Sequence, residues 1–413
     1  MKFCMLTTFY PPFNHGGDGV YVEALSRELV KRGHEVTVAH CVDAYRLNAP
    51  SVTSDAPETS MQDGVRVHRL RSRFGLLSPL LTQQTGLPGL KTRRLREILA
   101  TGFDVVNYHN ISLIGGPGLL ELPAGPALKL WTVHEHWFLC STHIFWKNKE
   151  KRCDRRECLT CCLRSGIPPQ LWRLSGLPRR AVAQVDALIA PSRFTADLHR
   201  DAVAPVPVHV LPLFSRIMPD LDPRNAVADT QGHGLGGYFI FVGRMTASKG
   251  VRPMLDAFAR LPQLRIKLAG GGELLDRLRV DFAACANIEF LGAVPADRLP
   301  ALYSQALAVV LPSLAPETFG LALVEGMAFG APAIVHDAGG CREIVETSGA
   351  GFVFRDFAEL PALLSRFAVD HEMRQALSVQ ARQAFAAFYT PQRHLAGYLA
   401  LIDAALDSRR RHA

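Results

Sequence analysis

No run in this 413-residue chain is at once long, apolar and uncharged enough for a membrane span. The two nearest stretches, 74–90 and 299–316, are broken by prolines and by glutamines or serines. No secretory leader is expected either: Lys2 is followed by a short apolar run that stops at Thr7, with neither an h-region nor a small-residue cleavage site beyond it. That predicts a cytoplasmic protein. Repeats at solenoid periods are absent. With 48% hydrophobic and 20% charged residues the chain is no disordered tract, and nine cysteines are too few for a disulfide scaffold. At about 100 to 200 residues per domain, the length predicts two or three domains.

What charge there is lies unevenly. The net charge is +8; residues 1–212 hold 26 basic and 18 acidic side chains, and the remainder holds 20 of each. Within the first half, 147–180 carries ten basic and three acidic residues, and all four tryptophans, Trp131, Trp137, Trp146 and Trp172, lie in or beside it. Lys and Arg next to tryptophan suit an anionic membrane face or a phosphate-bearing acceptor. A solvated face is the plain alternative, and nucleic acid competes for any basic patch.

Short apolar runs alternate with helical patterns. Strands are predicted at 3–7, 35–40, 65–70, 104–109, 128–133, 187–190 and 206–211, and a helix at 20–32 with Leu25, Leu29 and Val30 on one face. Strands separated by helices indicate βαβ units and a parallel sheet. The pattern lapses into prolines, glycines and polar residues over 213–237, read as a linker, and resumes at 238–242, 265–269, 288–291, 308–311 and 333–335. The expected plan is an α/β protein with a first doubly wound domain at 1–212 carrying an insert at about 137–180, and a second at 238–390. An amphipathic helix at 391–413 is free to return to the first domain.

Three motifs fall at strand ends. His15-Gly16-Gly17-Asp18-Gly19 joins the first strand to the first helix, where glycines let a ligand approach the backbone and the helix N-terminus favours an anion. Turn geometry alone accounts for it equally well. It is neither G-x-G-x-x-G nor a P-loop. Arg244 and Lys249 follow the first strand of the second series, at the carboxyl edge where α/β sheets bind ligands, and two cations there suit a diphosphate. Glu317 and Glu325 stand eight residues apart around Phe319, Leu321 and Leu323, roughly two turns along nearly one helix face. Carboxylates seldom stay buried unpaired, and a polyhydroxylated ligand would supply donors to both.

Taken together, the Glu-x7-Glu segment, Arg244 with Lys249, the Gly16-Gly17 turn and the strand end Thr132-Val-His-Glu135 resemble retaining glycosyltransferases of family 4, over nearly the whole chain and in the right order. The resemblance implies the GT-B architecture, two Rossmann-like parallel-sheet domains facing across a crevice. It implies a nucleotide-diphosphate sugar as donor, with Arg244 and Lys249 on the diphosphate and Glu325 on the ribose. Glu317 and the Phe319-Gly320-Leu321 backbone would meet the donor sugar, His134 the reaction centre, and Gly16 and Gly17 the donor phosphates. His136 competes with His134, since it points to the same side of an extended chain. The expected acceptor is a glycan or a lipid-linked intermediate of surface-polysaccharide synthesis, and nucleic acid is not an expected partner.

Asp220-Leu-Asp222 has the letters of a metal-binding Asp-x-Asp but no strand to place it, so it reads as chance. Arg and Lys suffice to neutralise a leaving diphosphate, and no metal or other cofactor is required. Cys140, Cys153, Cys158, Cys161 and Cys162, with His143 close by, include one C-x-x-C pair of the kind zinc uses. A second such pair is missing, and the adjacent Cys161 and Cys162 cannot share one ion without strain. Structural zinc, buried thiols and a redox pair all stay open. Two rivals share the architecture: a sugar-nucleotide epimerase and a non-catalytic glycan-binding protein.

Overall fold

The computed structural model describes residues 1–47, 56–219 and 237–412. Asp220-Leu-Asp222 and most of the expected linker lie outside the described residues. The chain forms two compact units, one of Met1–His143, Glu157–Pro212 and His394–Ala413, the other of Ile144–Arg156 and Leu213–Arg393. The stretch 144–156, which sequence reading keeps with the first domain, thus groups with the second unit.

In the first unit the strands are β1 (Lys2–Leu6), β2 (Glu35–Cys41), β3 (Thr59–Gln62), β4 (Val65–Leu70), β5 (Val105–Tyr108) and β6 (Leu128–Thr132). The short pair β7 (Trp146–Lys147) and β8 (Lys151–Arg152) comes next and belongs to the other unit, before β9 (Ala187–Ala190) and β10 (Val208–Val210) complete the first. Eight of these form one sheet in the order β10-β9-β6-β5-β1-β2-β4-β3. Only β3 runs antiparallel, against β4. Phe3, Cys4, Met5 and Leu6 are all fully buried, as a central parallel strand covered by helices on both faces requires. Because β2 lies on one side of β1 and β5 on the other, the loops after β1 and β5 diverge at the carboxyl edge. That opening is where such sheets take ligands.

The second unit repeats the plan with β11 (Tyr238–Val242), β12 (Ile266–Ala269), β13 (Ile288–Gly292), β14 (Ala306–Leu311), β15 (Ala333–His336) and β16 (Gly351–Phe354), ordered β13-β12-β11-β14-β15-β16. Its switch point falls between β11 and β14. Phe239, Phe258 and Phe367 pack edge to face beneath the sheet, ring centroids 5.5 and 6.4 Å apart, each burial worth roughly 1.5–3 kcal/mol.

The last helix, Pro391–His412, starts on a proline, which has no N–H to lose at a helix start. From His394 onward it belongs to the first unit, where Asn107 Nδ2 donates to Tyr398 Oη at 2.9 Å. Farther along, Arg409 bonds to the Asp186 carboxylate and to the Pro126 and Ala127 carbonyls.

Candidate active site

In the second unit the loop after β11 carries Arg244 and ends in a 3-10 turn, Ala247–Lys249. Gly250 follows with φ 63°, and a Cβ there would lie 2.1 Å from the Pro312 carbonyl, so only glycine lets the β11 and β14 loops approach. The two loops are tied by Leu314 and Ala315 N–H groups donating to Ser248 O at 2.8 and 3.0 Å. This places Lys249 Nζ 2.5 Å from Glu317 Oε1, and Ser313 Oγ donates to the same oxygen. Burial alone would push the Glu317 carboxyl up; the Lys249 ammonium, the Ser313 hydroxyl and the Arg244 guanidinium outweigh it and hold its pKa below the ordinary value. Arg244 is exposed and, among the described residues, makes no ion pair or side-chain hydrogen bond.

Glu317 and Glu325 do not share a helix face. The helix spans Leu321–Ala328, and Glu317 precedes it in an extended bridge to Gly339. The three non-helical residues between them, Thr318, Phe319 and Gly320, break the 100° periodicity on which the one-face expectation rested. Gly320 caps the helix without a side-chain hydrogen bond; its carbonyl takes the Leu323 N–H, which leaves the Leu321 and Ala322 N–H groups to the site beside Glu317. Phe319 is buried, its carbonyl accepting from Cys341 Sγ at 2.9 Å.

Glu325 already has a protein partner: Tyr303 Oη donates to Glu325 Oε2 at 2.8 Å, and the Tyr303 ring stacks on Phe329. Burial nevertheless raises the Glu325 pKa, against the pull of Tyr303 and Arg216. Removing the hydroxyl strands a desolvated carboxylate oxygen, a cost of about 1–3 kcal/mol. Tyr303→Phe is therefore expected to lower the melting temperature by about 2–10 °C. Calorimetry reads this directly, and an unchanged transition would mean that Glu325 does not depend on Tyr303.

Sequence reading missed the glycine run after β12. Met245 N–H donates to Gly271 O at 2.7 Å, and a Cβ on Gly270 would lie 2.0 Å from Gly243 O. These glycines shape the loop that presents Arg244. The signal was three consecutive glycines at a strand end.

In the first unit the helix Gly17–Lys31 begins beyond Gly16 with no side-chain cap. Gly19 is required by packing, since a Cβ would meet Asn14 Oδ1 at 2.3 Å. Gly16 is not: its φ of 168° is ordinary extended backbone, and a Cβ would meet only Asp18 Oδ1, at 3.3 Å. Asp18, in the first turn of that helix, accepts from Asn110 Nδ2 of the loop after β5 at 2.9 Å. Just past β6, His134 Nε2 lies 3.0 Å from His109 Nδ1, with the Tyr21 ring 5.1 Å from the imidazole. Burial lowers its pKa to about 4, and the nearby Asp18 carboxylate resists that shift. His136, its competitor, turns the other way, 1% exposed and stacked on His199 at 5.7 Å. The bend after β6 breaks the extended geometry that would have put both rings on one side.

The insert is not an aromatic surface. Trp131, Trp137, Trp146 and Trp172 are all buried, and Lys147 is buried with its ammonium 3.4 Å from Asp154. Among the described residues no three His, Cys, Asp or Glu side chains gather as metal donors. Cys140, Cys161 and Cys162 are buried thiols, Cys158 is exposed and Cys153 lies between these extremes, while His143 pairs with Glu135 at 2.9 Å.

Two parallel-sheet α/β units, with a cation pair and an open helix N-terminus at the switch point of the second, define the GT-B class of sugar transferases. The family descriptions that match are "Glycosyltransferase Family 4" over residues 15–214 and "Glycosyl transferases group 1" over 234–384. The chain is 29% identical to the MMP alpha-(1->4)-mannosyltransferase of Mycolicibacterium hassiacum over 85% of each chain. It is 26% identical to the GDP-mannose-dependent alpha-(1-6)-phosphatidylinositol monomannoside mannosyltransferase of Mycolicibacterium smegmatis over 84% of each. The Anabaena HepE structure, in complex with UDP and glucose, superposes with a TM-score of 0.64 at 18% identity, covering 97% of this chain and 99% of that one. The chain belongs to glycosyltransferase family 4 and is a nucleotide-sugar glycosyltransferase of the GT-B fold. The epimerase and binding-protein alternatives are not favoured. No described helix is long and apolar enough to cross a membrane.

Proposed function

We propose that the chain transfers a sugar, with retention, from a nucleotide-diphosphate sugar to a hydroxyl of a lipid-linked or surface-glycan acceptor, at the cytoplasmic face of a membrane to which it attaches peripherally. No metal ion takes part. The observation that carries the donor half is the Lys249–Glu317 pair beside exposed Arg244 and the uncapped Leu321–Ala328 helix. A diphosphate there accepts from Arg244, Lys249 and the helix N–H groups of the Gly320-Leu321 turn. Glu325 takes ribose hydroxyls, and Glu317 with the Phe319 backbone takes the donor sugar. His134 serves the reaction centre, and Gly16 and Gly17 lie against the donor phosphates. That neither packing nor φ demands glycine at position 16 supports a ligand's close approach there. In the reaction the bond from the anomeric carbon to the diphosphate oxygen breaks and a bond to the acceptor oxygen forms on the same face. The acceptor proton passes to the departing diphosphate. The acceptor class draws on the phosphatidylinositol mannoside named for the M. smegmatis relative.

The test is a thermal-shift panel of UDP, GDP and ADP, followed by nucleotide release with and without a lipid-linked acceptor, in the presence of a chelator. One nucleotide at 100 times its Kd is expected to stabilise the protein by about 2.7 kcal/mol. No shift with any of them would remove the donor assignment, and loss of turnover on chelation would remove the metal-free mechanism.

A further inference from the structure

The Leu77–Thr85 helix of the first unit is built inside out. Its buried residues are Ser78, Pro79 and Thr82, and the group they enclose is an ammonium. Lys91 Nζ donates to Thr82 Oγ1 at 2.9 Å, to Ser78 Oγ at 3.0 Å and to Ser78 O at 3.4 Å. Its outward residues Leu77, Leu80 and Leu81, spaced i, i+3, i+4, are 47, 43 and 36% exposed, and Phe74, Leu76 and Leu87 on either side are 45–49% exposed. A helix that meets only water shows the opposite arrangement, apolar inward and polar outward. Nor is the helix loosely held. Trp172 Nε1 donates to Gln83 O at 3.1 Å and Gln83 Nε2 to Pro168 O at 2.9 Å, so the leucines cannot rotate inward without breaking both bonds.

Charge names the occupant. From Arg66 to Leu99 the chain has eight Lys and Arg and one acid, Glu97; Arg69 and Lys91 are buried, while Arg66, Arg73, Arg93, Arg94 and Arg96 are exposed, Arg93 and Arg94 against Glu97 and the Arg73 guanidinium 4.8 Å from the Phe74 ring centroid. A second copy on this face would set one cationic rim against another. An anionic bilayer takes both parts, leucines into the acyl boundary and arginines among the headgroups. We propose that this face seats the protein on an anionic lipid bilayer. The proposal rests on the peripheral attachment inferred above and moves it from the basic insert, whose tryptophans are buried, to the Leu77–Thr85 helix.

Flotation of the full chain with vesicles of mixed phosphatidylcholine and phosphatidylglycerol tests it. Wild type is expected to float with these vesicles, less so in high salt, and poorly with phosphatidylcholine alone. The double variant L80Q/L81Q is expected to lose at least about tenfold in partitioning, with an unchanged melting temperature because both side chains already face outward. A variant with Lys149, Lys151, Arg152, Arg155 and Arg156 replaced by Gln is expected to float like wild type. The proposal is overturned by a wild type that stays with the protein-only fraction, by L80Q/L81Q floating undiminished, or by leucine-dependent dimers without lipid. The nucleotide thermal shift, measured on the same samples, reports separately on the transferase reading, so failure of one leaves the other legible.

Discussion

Replacing Lys249 with Ala is expected to lower kcat/KM by about 10²–10³-fold and to destabilise the second unit at the same time. The argument rests on the ion pair rather than on loop charge. Lys249 is the ammonium that allows Glu317 to stay ionised in a half-buried position, and the two atoms are 2.5 Å apart. Truncating one partner leaves the other as an uncompensated charge, a loss of about 2–5 kcal/mol. The same substitution removes a cation from the diphosphate subsite. Arg244→Ala provides the contrast: its side chain is exposed without an ion partner among the described residues, so nucleotide affinity falls while the melting temperature holds. A double-mutant cycle of Lys249→Met with Glu317→Gln should show coupling of about 0.5–3 kcal/mol. Additive effects would show that the pair does not act as a unit, and equal melting behaviour of the Arg244 and Lys249 variants would remove the structural half of the argument.

Sequence reading placed both cations after the first strand of the second series, at the carboxyl edge of its sheet. What that placement misses is the Lys249 partner Glu317, which is 68 residues away and reached only through the β11–β14 adjacency. The buried parallel strands were legible because their apolar runs are nearly continuous. The edge strands β3 and β16 were not, since Thr59–Gln62 has no buried residue and Gly351–Phe354 has only one. The tryptophans misled for a related reason. A basic run predicts a surface from composition, but composition does not encode that Trp137 and Trp172 pack at a tilt, centroids 5.2 Å apart, inside the first unit. The leucine-out helix was visible only as the near-miss membrane span at 74–90. Its inverted polarity depends on Lys91 reaching back to Ser78 and Thr82, a contact that periodicity does not encode.

His134→Ala is expected to lower kcat by about 10²-fold or more while leaving donor KM nearly unchanged, because the nucleotide cations lie in the other unit. The pH dependence follows from the ring's surroundings. His134 faces His109, the Tyr21 ring and Asp18, and burial holds its pKa at about 4 against the usual 6.5. It is therefore neutral throughout the neutral range, and the acidic limb of kcat is expected nearer pH 4 than pH 6.5. Asp18→Asn removes the carboxylate that favours the imidazolium, so the limb should move lower still. Stability follows the same sign. The unfolded chain takes up a proton near pH 6.5 and the folded chain only near pH 4, so stability is complete above the first value, declines between the two and levels off below the second. His394, also lowered to about 4, and His109, lowered well below its usual value, both by burial, add to the decline. Each histidine contributes up to about 1.4 kcal/mol per pH unit in that window. Calorimetry from pH 7 to pH 4 should show the melting temperature falling, and falling less steeply in His134→Ala. A melting temperature constant over that range, or an acidic limb at pH 6.5, would show that His134 is charged where the structure requires it to be neutral.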